Sequence, residues 1–175
     1  VSESADGLPP EPELRRCEFA PFYREQLPVL IRFLYKQGAT WEEANDIAQE
    51  TFVRLYTHQR RIYQPRAWIR TVAQNLWINT RKRDGKAPIL AVKGDWLPRP
   101  VTDNVELKDE EKMVYHAISQ LPQRQRQVIA WCYDGYSPAE IAQHIGLSSE
   151  TVRASLLQAR KKLKNLLGLG EGGAA

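Results

Sequence analysis

The chain of 175 residues has only two cysteines, Cys17 and Cys132, far apart in sequence. That argues against a disulfide framework and makes a reducing cytoplasm the expected location. Apolar runs are short, and none approaches the roughly 20 residues that span a bilayer, so no membrane association is expected. The first residues lack the charged-then-apolar layout of a secretory signal. His58, His116 and His144 have no metal-ligand spacing with one another or with the cysteines. There is no glycine-rich phosphate loop and no nucleophile elbow. No cofactor, no metal and no catalytic residue is therefore expected. Signals for β-strands are weak throughout.

Positive charge is plentiful: the formal net charge is +4 and the isoelectric point is near 9.1. It is spread unevenly. Between residues 60 and 86 the cations are Arg60, Arg61, Arg66, Arg70, Arg81, Lys82, Arg83 and Lys86, against Asp84 alone. Between residues 103 and 111 the balance reverses, with five acids facing only Lys108. A second basic block lies near the C-terminus. Two separate basic blocks suggest two contact zones on nucleic acid.

Helical periodicity dominates. Residues 19–37 place Phe22, Tyr23, Leu27, Leu30, Ile31 and Leu34 on one face. Pro28 is expected to kink or split that helix, and Gly38 to end it. Thr40, Trp41, Glu42 and Glu43 form a capping box that opens a second helix, with Ala44, Ile47, Ala48, Thr51, Phe52 and Leu55 inward. Pro65 starts a third, for which Ile69, Val72, Ala73, Leu76 and Thr80 are the expected inward residues, with Trp77 facing away. Residues 85–104 hold Pro88, Gly94, Pro98 and Pro100 and read as an extended linker. Periodicity resumes over residues 105–121, and Pro122 opens a further helix through Val128, Ile129 and Trp131. The expected organisation is all-α: two small helical domains at 19–84 and 105–167, the linker between them, a flexible segment at 1–18 and a disordered Gly-rich tail at 168–175.

Residues 135–164 read as a helix-turn-helix. Ser137 caps, Pro138 takes the first helical position and Glu140 completes a capping box. Gly146 supplies a left-handed stop. Ser148 then starts a second helix, buried through Val152, Leu156, Ala159 and Leu163. Its opposite side carries Ala154, Leu157, Gln158 and Lys161, flanked by Arg153 and Arg160. A basic second helix after a tight turn suits the DNA major groove.

Three segments resemble bacterial sigma factors of the extracytoplasmic-function (ECF) group, within the sigma-70 family. One is residues 46–55 (DIAQETFVRL). Another is Ala67, Trp68 and Ile69 with Ala73, Gln74, Asn75 and Leu76. The last is residues 121–126 (LPQRQR) with Gly135-Tyr136-Ser137, Glu140-Ile141-Ala142 and Thr151-Val152-Arg153. The resemblance implies the partners: core RNA polymerase through its beta and beta-prime subunits, promoter DNA, and an anti-sigma factor. It also implies site residues. Asp46, Gln49, Glu50 and Arg54 would contact core polymerase. His58, Arg60, Arg61, Tyr63, Trp68, Arg70, Gln74, Asn75, Trp77 and Arg81 would melt and read the −10 element. Arg124, Ser149, Arg153, Ala154, Leu157, Gln158 and Lys161 would read the −35 element. A pocket near Trp68 and Asn75 is the expected receiver of an extruded base. The terminal Ala174 and Ala175 suggest a protease as a further partner. The rival reading is a helix-turn-helix regulator that binds duplex DNA without polymerase, which has no use for residues 46–75.

Overall fold

In a computed structural model of the chain, residues 18–58, 60–85 and 107–170 are described. Cys17, the linker expected at 85–104 apart from Gly85, and the terminal alanines lie outside these residues. Every regular element among the described residues is a helix: α1 (Phe19–Lys36), α2 (Trp41–Thr57), α3 (Pro65–Arg83), α4 (Asp109–Ser119), α5 (Gln123–Tyr133), α6 (Pro138–Ile145) and α7 (Ser149–Leu166).

The helix starts follow local chemistry. Thr40 accepts from the Glu43 amide while the Glu43 carboxylate takes the Thr40 amide at 2.8 Å, satisfying two otherwise orphan donors of α2. Ser137 and Glu140 repeat this at α6, and Ser148 caps α7 through the Thr151 amide. Pro65 occupies the first turn of α3, where no amide is missed. Pro28 lies inside α1 without splitting it. Packing against α2 and α3 compensates for the one hydrogen bond that proline removes.

The first three helices pack mutually into an N-terminal lobe. Leu30, Phe33 and Leu34 of α1, the stripe from Ala44 to Leu55 of α2, and Ile69 and Ala73 of α3 are buried. Phe52 gathers Phe19, Phe22 and Tyr23 around it, with ring centroids 4.9–6.3 Å away. In the C-terminal lobe α7 lies against α4, α5 and α6, burying Val152, Leu156 and Ala159 against residues such as Ile118, Val128 and Ile141. Each buried Val, Leu, Ile or Phe among them contributes about 1.5–3 kcal/mol through removal of apolar surface from water.

One expectation needs correction. The buried face of α3 comprises Ala67, Ile69, Arg70, Ala73, Gln74 and Trp77, whereas Val72, Leu76 and Thr80 are only half-buried. Trp77 therefore points inward, not away from the core. The reason is that the lobes are docked. Helix α1 meets α4 and α5, and α3 meets α6, so α3 has neighbours on a side that one isolated lobe would leave to solvent.

Candidate nucleic-acid and polymerase interface

The outer face of α2 carries Asp46, Gln49, Glu50 and Arg54, all exposed. Arg54 Nε donates to Glu50 Oε1 at 2.8 Å, and the Tyr23 hydroxyl donates to Gln49 Oε1 at 2.9 Å. Beside them Val53 and Tyr56 are more than half exposed. Together they place apolar surface on an otherwise charged face.

Between α2 and α3 lie residue 58 and residues 60–64. An open cleft of about 420 Å³ lies there, lined by His58, Arg60, Arg61, Ile62, Tyr63, Gln64, Ala67, Trp68, Thr71 and His144. Trp68 is half-buried, and its ring meets the His58 ring at 5.2 Å. It also lines a neighbouring cavity of about 480 Å³ with Arg54, Thr57, His58 and Val72. Arg61 sits over the exposed Tyr63 ring at 5.3 Å. Aromatic faces among guanidinium groups suit the binding of unpaired bases and their phosphates. Asn75 is exposed and lines neither cavity, whereas His58 and Trp68 line both.

His144 belongs to the other lobe and was not anticipated at this cleft. It stacks on Trp131 at 5.0 Å and meets Tyr136 edge-on at 5.8 Å. Burial lowers its pKa, partly opposed by the nearby Glu140 carboxylate.

Arg70, Gln74 and Trp77 are buried in this conformation, at 4%, 3% and 2% exposure. Arg70 Nε donates to Asp134 Oδ2 at 2.7 Å, and Gln74 Oε1 accepts from Trp131 Nε1 at 2.8 Å. Arg81 lies over the Trp77 ring at 5.1 Å. These residues therefore separate from the open cleft formed by His58, Arg60, Arg61, Tyr63 and Trp68.

On the C-terminal lobe, Gly146 adopts φ +70° and ends α6, and the Leu147 amide reaches back to the Ala142 carbonyl at 3.1 Å. Helix α7 then presents Arg153, Ala154, Leu157, Gln158 and Lys161 to solvent, with Ser149 partly covered. Leu157 is 71% exposed, which no packing demand explains. Gln125 Nε2 donates to Gln158 Oε1 at 3.3 Å, while Arg124 Nη1 donates to Gln127 at 3.1 Å and remains exposed. The arrangement is a convex basic helix with an apolar centre, fit for a groove carrying thymine methyl groups.

Two family descriptions match the chain: Sigma-70 region 2 over residues 22–87 and Sigma-70 region 4 over residues 111–163. The ECF RNA polymerase sigma factor SigL of Mycobacterium tuberculosis is 30% identical over 149 residues, covering 81% of this chain and 84% of SigL. The chain belongs to the ECF sigma factors. This sigma factor is also 29% identical over 136 residues to the probable RNA polymerase sigma factor RfaY of Xanthomonas campestris pv. campestris. That match covers 71% of this chain, but the chain spans only 34% of RfaY's length. Its fold matches the sigma factor RpoE of Bartonella quintana, solved in complex with the anti-sigma factor NepR, with a TM-score of 0.62 and 22% identity over 86% of this chain and 99% of that one. In this sigma factor the α2 face and the Trp68 cleft fall within the region 2 match. The exposed face of α7 falls within the region 4 match, up to residue 163.

Among the described residues no group of three or more His, Cys, Asp or Glu side chains is placed to hold a metal ion. No helix among them is long and apolar enough to cross a membrane.

Proposed function

We propose that this sigma factor binds core RNA polymerase in the bacterial cytoplasm and directs it to promoters, with no catalytic step of its own. The α2 face formed by Asp46, Gln49, Glu50 and Arg54 docks on the core enzyme, aided by Val53 and Tyr56. Helix α7 reads −35 duplex DNA with Arg153, Ala154, Leu157, Gln158 and Lys161, while Arg124 and Ser149 hold the backbone. The His58–Trp68 cleft captures an extruded −10 base, and Arg60, Arg61 and Tyr63 hold the displaced strand. An anti-sigma protein is the regulatory counterpart included in this reading.

The observation that carries it is one chain holding both an exposed basic helix after a tight turn and an aromatic cleft lined by Arg60 and Arg61. Strand separation makes and breaks no covalent bond. It requires about a few kcal/mol to unpair and unstack a base, and stacking on an aromatic face returns about 1–3 kcal/mol per base. A regulator that binds only duplex DNA needs α7 and not the cleft, so the region 2 match weighs against that rival.

Reconstitution with core polymerase and a promoter library tests the proposal. Run-off transcripts should depend on the added chain. Asp46→Arg combined with Gln49→Ala should cut core binding at least tenfold with helical content unchanged. Undiminished co-purification of that variant with core enzyme would remove α2 from the docking surface.

A further inference from the structure

A glutamine amide carries an acceptor oxygen on one side and two N–H donors on the other, so what it recognises depends on which side it presents. On the exposed face of α7 that choice is constrained for Gln158. Its Oε1 accepts from Gln125 Nε2 of α5 at 3.3 Å. Gln158 is exposed, whereas Gln125 is half-buried in the first turn of α5. The seat of α7 against α5 is fixed on both sides of Gln158. Leu156 and Ala159 are buried, and the Lys162 ammonium donates to the Gln120 carbonyl at 3.0 Å. The neighbouring Arg124 is turned to Gln127. The glutamine pair is thus part of the packing between α5 and α7.

Burial decides the polarity of the pair. Gln125 Oε1 is buried and has no hydrogen-bond partner. Turning the Gln125 amide over would bury its NH2 group there instead, leaving two donors without acceptors. Orphaned N–H groups are rarer inside proteins than under-used carbonyl oxygens. The oxygen therefore stays inside and the nitrogen faces α7. Gln125 donates, and Gln158 accepts.

The consequence lies at the surface that faces DNA. With Gln158 Oε1 turned to α5, its Nε2 is the group left for a base, and it has no hydrogen-bond partner among the described residues. An unconstrained glutamine pairs with adenine through both arms, accepting from N6 and donating to N7. With the oxygen held back, the first of those bonds is lost. Guanine presents two acceptors in the major groove, O6 and N7, which suit an amide that only donates. Cytosine presents its N4 amino group and offers such an amide nothing.

We propose that Gln125 is a specificity-determining positioning residue for the −35 element. By holding Gln158 Oε1 it makes Gln158 a donor toward the groove, which selects guanine over adenine and cytosine at the base that Gln158 meets. This inference rests on the reading of Gln158 as a −35 contact given above.

The test uses holoenzyme reconstituted from core polymerase and the full chain, with a promoter library randomised across the −35 element. The position read by Gln158 is the one whose preference Gln158→Ala removes, and there the wild type should favour guanine. Gln125→Ala releases Oε1, so adenine should gain on guanine at that position by about fivefold or more. Gln125→Glu can only accept, so Gln158 turns its NH2 group to it and shows oxygen to the groove. Guanine should then fall about fivefold or more against cytosine and adenine together. Preferences at the other −35 positions should stay unchanged in both variants, which a merely structural role for Gln125 would not give. A wild-type preference for adenine at the Gln158 position would overturn the proposal, as would a guanine preference that survives in Gln125→Glu. If Gln125→Glu is inactive on every promoter, Gln125→Ala decides. There an unchanged guanine-to-adenine ratio, or an equal loss of preference at every −35 position, rejects the proposal. Identical preferences for wild type and Gln158→Ala would instead reject the reading of Gln158 itself, and the role of Gln125 would fall with it.

Discussion

Gln158 and Lys161 stand one turn apart on the exposed side of α7, and the proposed function gives them different roles. A glutamine amide can pair with a base edge, worth about 1–3 kcal/mol of discrimination, whereas a lysine ammonium meets phosphate without reading sequence. Gln158→Ala should therefore flatten the preference at one position of the −35 element in a promoter-library selection. Lys161→Ala should weaken all promoters alike and reduce the salt dependence of binding by about one counterion. Identical base preferences for wild type and Gln158→Ala would reject its reading role. His144 offers a pH test. Its pKa is lowered in the fold by burial, so below the ordinary value of 6.5 the unfolded chain takes up a proton that the folded chain resists. Stability from this source is full above pH 6.5 and falls as the pH drops beneath it. The groups around it are Glu140 on its own helix, the Trp131 and Tyr136 rings, and His58, Arg60 and Arg61 across the cleft. Denaturation of wild type should be easier at pH 5.5 than at pH 7.5, and His144→Gln should lose most of that difference. An equal pH response in both proteins would place the effect elsewhere.

At the scale of the element, the helix-turn-helix is set by contacts within a few residues. Ser137 and Glu140 satisfy each other's amides, and those hydrogen bonds hold the Glu140 carboxyl below its usual range. Ser137→Ala should cost about 1 kcal/mol in urea denaturation, the usual worth of an N-cap. At Gly146 a Cβ would meet nothing within 4 Å, so only the positive φ resists substitution. Gly146→Ala should then cost about 1–2 kcal/mol from backbone strain alone. Calorimetry showing no loss for Gly146→Ala would mean that α6 ends in another way. Because such signals are local, the caps at Thr40, Ser137 and Ser148 and the inward stripe of α2 were legible from residue order alone. Helix α3 was not. Its buried face is rotated toward Arg70, Gln74 and Trp77 because two of them find their partners 64 and 57 residues away, in Asp134 and Trp131. Periodicity measures apolar spacing within a segment. It is blind to a polar side chain buried by a distant carboxylate.

For the whole molecule, the division into two helical lobes was readable from the Pro-rich stretch between the periodic segments. Their docking was not, since nothing in either segment alone marks Arg70 or Asp134 as anything but a surface charge. The same blindness affected the cleft, where His144 arrives from the other lobe and Asn75 stands outside. If the cleft at Trp68 stabilises separated strands at a promoter, as proposed, capture of a base should add to the open state far more than to duplex affinity. Permanganate reactivity of −10 thymines measures that state directly. Wild-type protein with core polymerase should give strong reactivity on a fully paired promoter. Trp68→Ala should retain the closed complex, lose at least tenfold in reactivity on paired DNA, and recover on a promoter carrying a pre-melted bubble. Wild-type reactivity of Trp68→Ala on the fully paired promoter would contradict the account.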